Sequence, residues 1–266
     1  MRLLQVDAFT DAPFAGNPAA VCLLEGPAEP EWMQKVASEM NLSETAFLRR
    51  QGQAFALRWF TPAVEVDLCG HATLAAAHAL WEEGLLEPVE PALFDTLSGR
   101  LSAVRRGDGI EMDFPAERAS PCEPPRGLLE SLGGISPVAV ARNRFDLLIE
   151  VADEGTLRSL RPDYARLGSL PVRGVMITSR AGRDLVSNGV DFVSRFFAPA
   201  VGVDEDPVTG SAHCCLGPWW AERIGTDDLV GRQLSERGGT VGVRVRGERV
   251  LLAGRAVTVL VGELRG

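Results

Sequence analysis

The sequence predicts an α+β fold of two pseudo-symmetric domains, each a barrel-like mixed sheet around a central helix. Three observations predict it: an internal repeat, an apolar helix at the same place in each copy, and alternating strands after each helix. The repeat comes first. RWFTPAVEVD at 58–67 aligns with RFFAPAVGVD at 195–204, identical at seven of ten positions, at an offset of 137 residues. The sequence then reads as if Glu205-Asp206-Pro207 were inserted in the second copy, and the match resumes at an offset of 140. Leu68-Cys69-Gly70-His71-Ala72 falls over Val208-Thr209-Gly210-Ser211-Ala212, and Gly99, Arg106 and Gly107 fall over Gly239, Arg246 and Gly247. Two long copies mean a duplicated domain, not a solenoid.

The elements follow in order. In each copy a strand ends near Pro62 or Pro199, and a loop leads to a helix predicted over 70–83 or 210–224. Gly84 and Gly225 stand where C-capping glycines belong. The first helix is apolar almost all round, the pattern of a helix buried inside its domain. Pro218 lies within the second and is expected to kink it. After the helices, RLSAVRR-GD-GIEMDF and TVGVRVR-GE-RVLLAG alternate as strand pairs across tight turns. The proline-rich stretch at 115–127 reads as a linker. The domains are therefore placed at 1–117 and 118–255, with the last strand, within 256–266, crossing back to complete the first.

Composition bounds the function. The 266 residues are 45% hydrophobic and 24% charged, as in ordinary globular proteins. A net charge of −9 disfavours nucleic acid and anionic membranes as partners. No apolar run has the length of a membrane span, and the N-terminal sequence lacks a signal-peptide core. Five cysteines without a CxxC pair fit reduced thiols. The expectation is a cytoplasmic protein.

The chemistry centres on the two helix starts. A helix N-terminus offers unpaired N–H groups and a partial positive charge, so Gly70 and Gly210 mark two places where a carboxylate could bind. Either junction alone is explained as readily by helix capping, but a duplicated pair favours a shared anion cleft. The copies diverge there, Cys69 and His71 in one against Thr209 and Ser211 in the other, with Asp206 just before the second helix. Asp206 and His71 also have plain capping roles open to them. Glu44, in MNLSETAFL, stands among apolar neighbours at a strand start, where partial desolvation suits a carboxylate to act as base and acid. An exposed strand-edge glutamate is the competing account.

GNPAAV (16–21), NLSETAF (41–47), FTPAVEVDLCGHAT (60–73) and DEDPVTGSA (204–212) together resemble the phenazine-biosynthesis isomerase family of the diaminopimelate epimerase-like superfamily. The resemblance implies a cofactor-free isomerase without a metal, acting on a small carboxylate between two barrel-like domains, and a homodimer. It places the proton-transferring glutamate on Glu44, a histidine on His71 and an aspartate on Asp206. Asn17, Gly70, Gly210 and Ser211 fall on substrate-binding positions. The superfamily's epimerases carry a cysteine at each helix start. Here Cys69 has only Thr209 opposite it, which speaks against a two-thiol racemase and leaves Cys69 either a reactive thiol or a buried filler.

Two other readings remain open at this stage. A metal-dependent hydrolase could draw on Cys69, His71, His213 and Cys214, although no recognised ligand spacing is present. A non-catalytic binding protein for small acids would keep the anion site alone.

Overall fold

The computed structural model describes residues 1–265 and divides into two compact units, Met1–Phe114 with Leu251–Gly266, and Pro115–Val250. The boundary therefore falls inside the strand Arg249–Gly254.

Both units repeat one strand order. In the first, Arg2–Ala8 pairs antiparallel with Asn17–Leu24, which runs parallel to Glu44–Gln51. Glu44–Gln51 pairs antiparallel with Ala54–Phe60, which runs parallel to Ala92–Thr96, followed by the antiparallel strands Gly99–Arg106 and Gly109–Pro115. In the second, Ala139–Arg142, Asp146–Glu150, Gly174–Arg180, Phe192–Ala198, Asp228–Gln233 and Gly239–Arg246 take the same sequence of antiparallel and parallel partners. A parallel pair needs a crossover, and the central helices Gly70–Glu82 and Gly210–Ile224 are those crossovers. Each helix therefore starts beyond the carboxyl end of a parallel strand, the side on which α/β sheets hold ligands.

The first central helix has ten buried residues among its thirteen, as expected for an element enclosed by its own sheet. The crossover helix Pro30–Met40 covers the other face, packing Met33, Val36 and Ala37 on Cys22, Phe47 and Phe60. With both faces covered, Thr45-Ala46-Phe47-Leu48 is a continuous buried run rather than an alternating one. The second central helix runs unbroken through Pro218 and ends at Gly225, φ +83°. In the first, Gly84 at φ +66° follows the last turn and donates to the Trp81 carbonyl.

The edge strands differ in origin. In the second unit Ser120–Pro121, inside the proline-rich stretch, pairs with Ala139–Arg142. In the first unit the corresponding place is taken by the C-terminal strand Ala256–Glu263, antiparallel to Arg2–Ala8.

The extra residues of the second copy lie earlier than the sequence alignment puts them. Trp59 is opposite Val66 in the first unit, and Phe196 is opposite Asp206 in the second. The bidentate pair Arg58–Glu65 has its counterpart in Arg195–Glu205. The offset of 140 thus already holds at Glu205, and the additional residues form the 3₁₀ turn Pro199–Val201, closed by Gly202 at φ +86°. Asp206 is not an inserted residue; it occupies the strand position of Val66.

Candidate active site

Glu44 begins its strand directly after the crossover helix, whose C-cap Asn41 is left-handed, φ 49°. Asn17 begins the neighbouring parallel strand, two residues ahead of Ala19, the partner of Glu44. The glycine before it is required: a Cβ on Gly16 would lie 2.2 Å from the Ala8 carbonyl oxygen. That close approach delivers Asn17, wholly buried, to the start of the central helix.

There the structure brings together Glu44, His71, Asn17 and Cys69. His71 Nε2 stands 3.0 Å from Glu44 Oε2, and neither atom has another hydrogen-bond partner. Asn17 Nδ2 donates to His71 Nδ1 at 3.2 Å, and Cys69 Sγ lies 3.5 Å from the same nitrogen. His71 is 5% exposed; the Glu44 side chain keeps 19%, and because Oε2 is buried, that exposure belongs to its other atoms.

Burial of the Cys69 thiol, reinforced by the Glu44 charge, raises its pKa. For His71, burial opposes protonation while Cys69 and Glu44 favour it, and the raising influences prevail. The Cys69 share requires a thiolate. Because that thiol is itself pushed up, the ring at neutral pH is left with Glu44 as its anion. Cys69 is thus a buried sulfur beside His71 whose surroundings disfavour the thiolate.

Glu44, Cys69 and His71 each bring a ligand atom within 4.8 Å of the others, a spacing open to a metal ion. In this arrangement one ring nitrogen faces Asn17 and Cys69 and the other faces Glu44, so an ion would have to displace one of these contacts. His213 and Cys214, the other donors considered from sequence, are buried in the second helix. His213 Nδ1 donates to the Thr209 carbonyl at 2.8 Å.

The second helix start is built differently. Thr209 Oγ1 donates to Asp206 Oδ2 at 2.5 Å, and buried Gln233 accepts from Thr209 N while donating to the Asp206 carbonyl at 2.6 Å. Gly210 is buried, and Ser211 Oγ accepts from Arg173 Nη2 at 3.2 Å. Arg173 is held in turn by a bidentate pair with wholly buried Asp146. Neither Arg173 nor Asp146 was found by sequence reasoning. A single arginine next to a strand carries no periodic or motif signal; only the parallel register that sets Asp146 beside Gly174 brings them together.

The fold is a mixed α+β scaffold that epimerases also use, and relatives matching nearly the whole chain are named isomerases. The profile of the family described as phenazine biosynthesis-like protein matches residues 6–262, and the chain belongs to that family. It is 52% identical to an uncharacterized isomerase of Halalkalibacterium halodurans, over 97% of this chain and 96% of that protein. A phenazine biosynthesis protein of the PhzF family from Enterococcus faecalis superposes with a TM-score of 0.93 at 38% identity, covering 99% and 98% of the two chains. A probable proline racemase from Agrobacterium radiobacter shares the fold alone, with a TM-score of 0.63 at 14% identity over 99% of this chain and 92% of that one. No helix among the described residues is long and apolar enough to cross a membrane.

Proposed function

We propose that this isomerase moves a proton within a small carboxylate substrate without a cofactor, and that Glu44 is the group that takes the proton and returns it. The observation that carries the reading is the Glu44–His71 contact at 3.0 Å at the mouth of a buried strand. His71 engages Oε2, leaving the other carboxylate oxygen of Glu44 for a substrate C–H. The carbon's electron pair is left delocalised in the substrate, and protonated Glu44 delivers the same proton to a second carbon.

Gly70, Gly210 and Ser211 are assigned to the substrate carboxylate, where helix-start N–H groups stabilise its charge as it grows. Asp206 is assigned to a polar group of the substrate, with Thr209 fixing its orientation. That both helix starts serve one substrate is part of this proposal and rests on the duplication alone. The family resemblance adds a homodimer, and the composition a cytoplasmic setting.

The test is Glu44→Gln, which preserves size and removes the base. On an identified substrate the rate should fall by about 10²–10⁴ with the melting temperature preserved. Full activity in the folded variant would overturn the assignment, and bound substrate never turned over by the unmodified protein would favour a binding role.

A further inference from the structure

We infer that Asn17 is a positioning residue that fixes the tautomer of His71, holding the proton on Nε2 so that His71 donates to Glu44 and cannot act as a second base. This rests on the reading of Glu44 as the proton-transferring group, and it changes the role of Asn17 from contacting substrate to acting through His71.

With the Asn17 amide nitrogen turned to the ring, one arrangement satisfies the neighbours of His71. Asn17 Nδ2 carries only hydrogens, so at 3.2 Å it can only donate, and Nδ1 must accept. Cys69, whose burial keeps it a thiol, presents a second weak donor to the same nitrogen at 3.5 Å. With Nδ1 accepting, the ring proton resides on Nε2, which faces the Glu44 carboxylate. The opposite tautomer would set N–H against N–H2 on one side and a bare nitrogen against a carboxylate on the other. Because Glu44 favours a second proton on the ring, the tautomer is a property of the singly protonated ring, reached as pH rises. Asn17 is 0% exposed, so a substrate contact through its side chain is closed off. The hydrogen bond that one ring nitrogen makes decides which role the other can play.

The consequence is a division of labour within the first helix start. His71 keeps Oε2 of Glu44 occupied, so proton transfer runs through one oxygen and one face. Without the Asn17 donor the ring could turn its proton to Nδ1, and its bare Nε2 would then repel the carboxylate it now supports.

The chain has three histidines, which makes a direct test practical. In protein labelled with ¹⁵N-histidine, without substrate and titrated upward from pH 7.5 until the ring is singly protonated, the His71 signals are identified by their loss in His71→Gln. The expected spectrum has a protonated Nε2 and a bare Nδ1, told apart by their couplings to the two carbon-bound ring protons. His213 supplies an internal contrast, since its Nδ1 faces a carbonyl and must carry the proton. Asn17→Asp keeps the size but offers an acceptor, and should move the His71 proton onto Nδ1. On an identified substrate the same variant should lose roughly tenfold or more in kcat, the scale of outer-shell substitutions, with little change in KM. Wild-type His71 with a protonated Nδ1, or folded Asn17→Asp with its tautomer unchanged, would overturn the inference. Should Asn17→Asp fail to fold, the wild-type spectrum decides alone. These spectra involve no turnover, so they stand or fall separately from the Glu44→Gln result.

Discussion

Gly174 occupies, in the second unit, the strand position that Glu44 occupies in the first. Thr45 pairs with Phe60, and Val175 pairs with Phe197, the repeat equivalent of Phe60, so the residues one step earlier correspond. No side chain fits at the second position: a Cβ on Gly174 would lie 2.4 Å from the tip of the Phe196 ring. The duplication has kept a carboxylate in one copy and filled its place with an aromatic ring in the other.

Gly174→Ala should therefore destabilise the protein. Phe196 is buried and has to shift to admit even a methyl group, and overpacking of this kind costs about 1–3 kcal/mol. Urea unfolding would show a lower midpoint with an unchanged slope. An unchanged midpoint would mean that the ring yields freely and that the space is less firmly closed than the contact indicates.

The thiols give a second prediction. Burial pushes Cys22 and Cys215 up to about 12 and raises Cys69 as well, while Cys214 is also buried. Cys122 alone among the five is partly exposed. Native protein treated briefly with iodoacetamide at pH 8 should carry one label, at Cys122, by peptide mass spectrometry. Rapid labelling of Cys69 would restore it as a reactive group at the helix start.

His213 sets an acid limit on stability. Burial holds its pKa down at about 4, against 6.5 for an ordinary histidine, so between these values the unfolded chain binds the proton that the folded one refuses. The stability this neutral ring allows is fully present above pH 6.5 and falls away as pH drops through about 4. The shift corresponds to roughly 3 kcal/mol at one pKa unit per 1.36 kcal/mol. Urea midpoints measured from pH 7 to 4 should slope downward in the wild type and less steeply in His213→Leu. Parallel slopes would remove His213 as the cause.

The parts of this design that the sequence disclosed are those carried by local pattern. The repeat, both helix starts and the apolar run after Glu44 all leave marks on neighbouring residues. What stayed hidden depended on register between distant strands. Seven identities carried the 137 offset through to Asp204, so Asp206 read as an insertion; the pairing of Phe196 with Asp206 shows that it stands where Val66 does. Asn17 was visible as the asparagine of a motif, but its burial against His71 follows from Gly16 pressing on the Ala8 carbonyl, which no spacing rule reveals. Arg173 and Asp146 are 27 residues apart and meet only through a parallel pairing.

The relation of Glu44 to Gly174 bears finally on the path of the proton. A racemase that inverts one carbon removes a proton from one face and adds another from the opposite face, which requires two groups able to exchange protons. In the second unit the position of Glu44 is glycine, and the position of Cys69 is Thr209, whose hydroxyl is committed to Asp206. Asp206 itself receives that hydroxyl hydrogen bond, so one of its two oxygens is already engaged. On the reading that Glu44 is the single competent group, the proton it abstracts is the proton it returns, to a different carbon on the same face. With Oε2 engaged by His71, the captured proton sits on the oxygen turned to the substrate, and the substrate over it slows exchange with water. Turnover in D₂O should then yield product that retains part of the original hydrogen at the receiving carbon, with the retained fraction falling if His71→Gln opens the site. Complete deuteration at one carbon with inversion there, in the first turnover, would establish a two-base epimerase and require a second proton carrier in place of the one that Gly174 lacks.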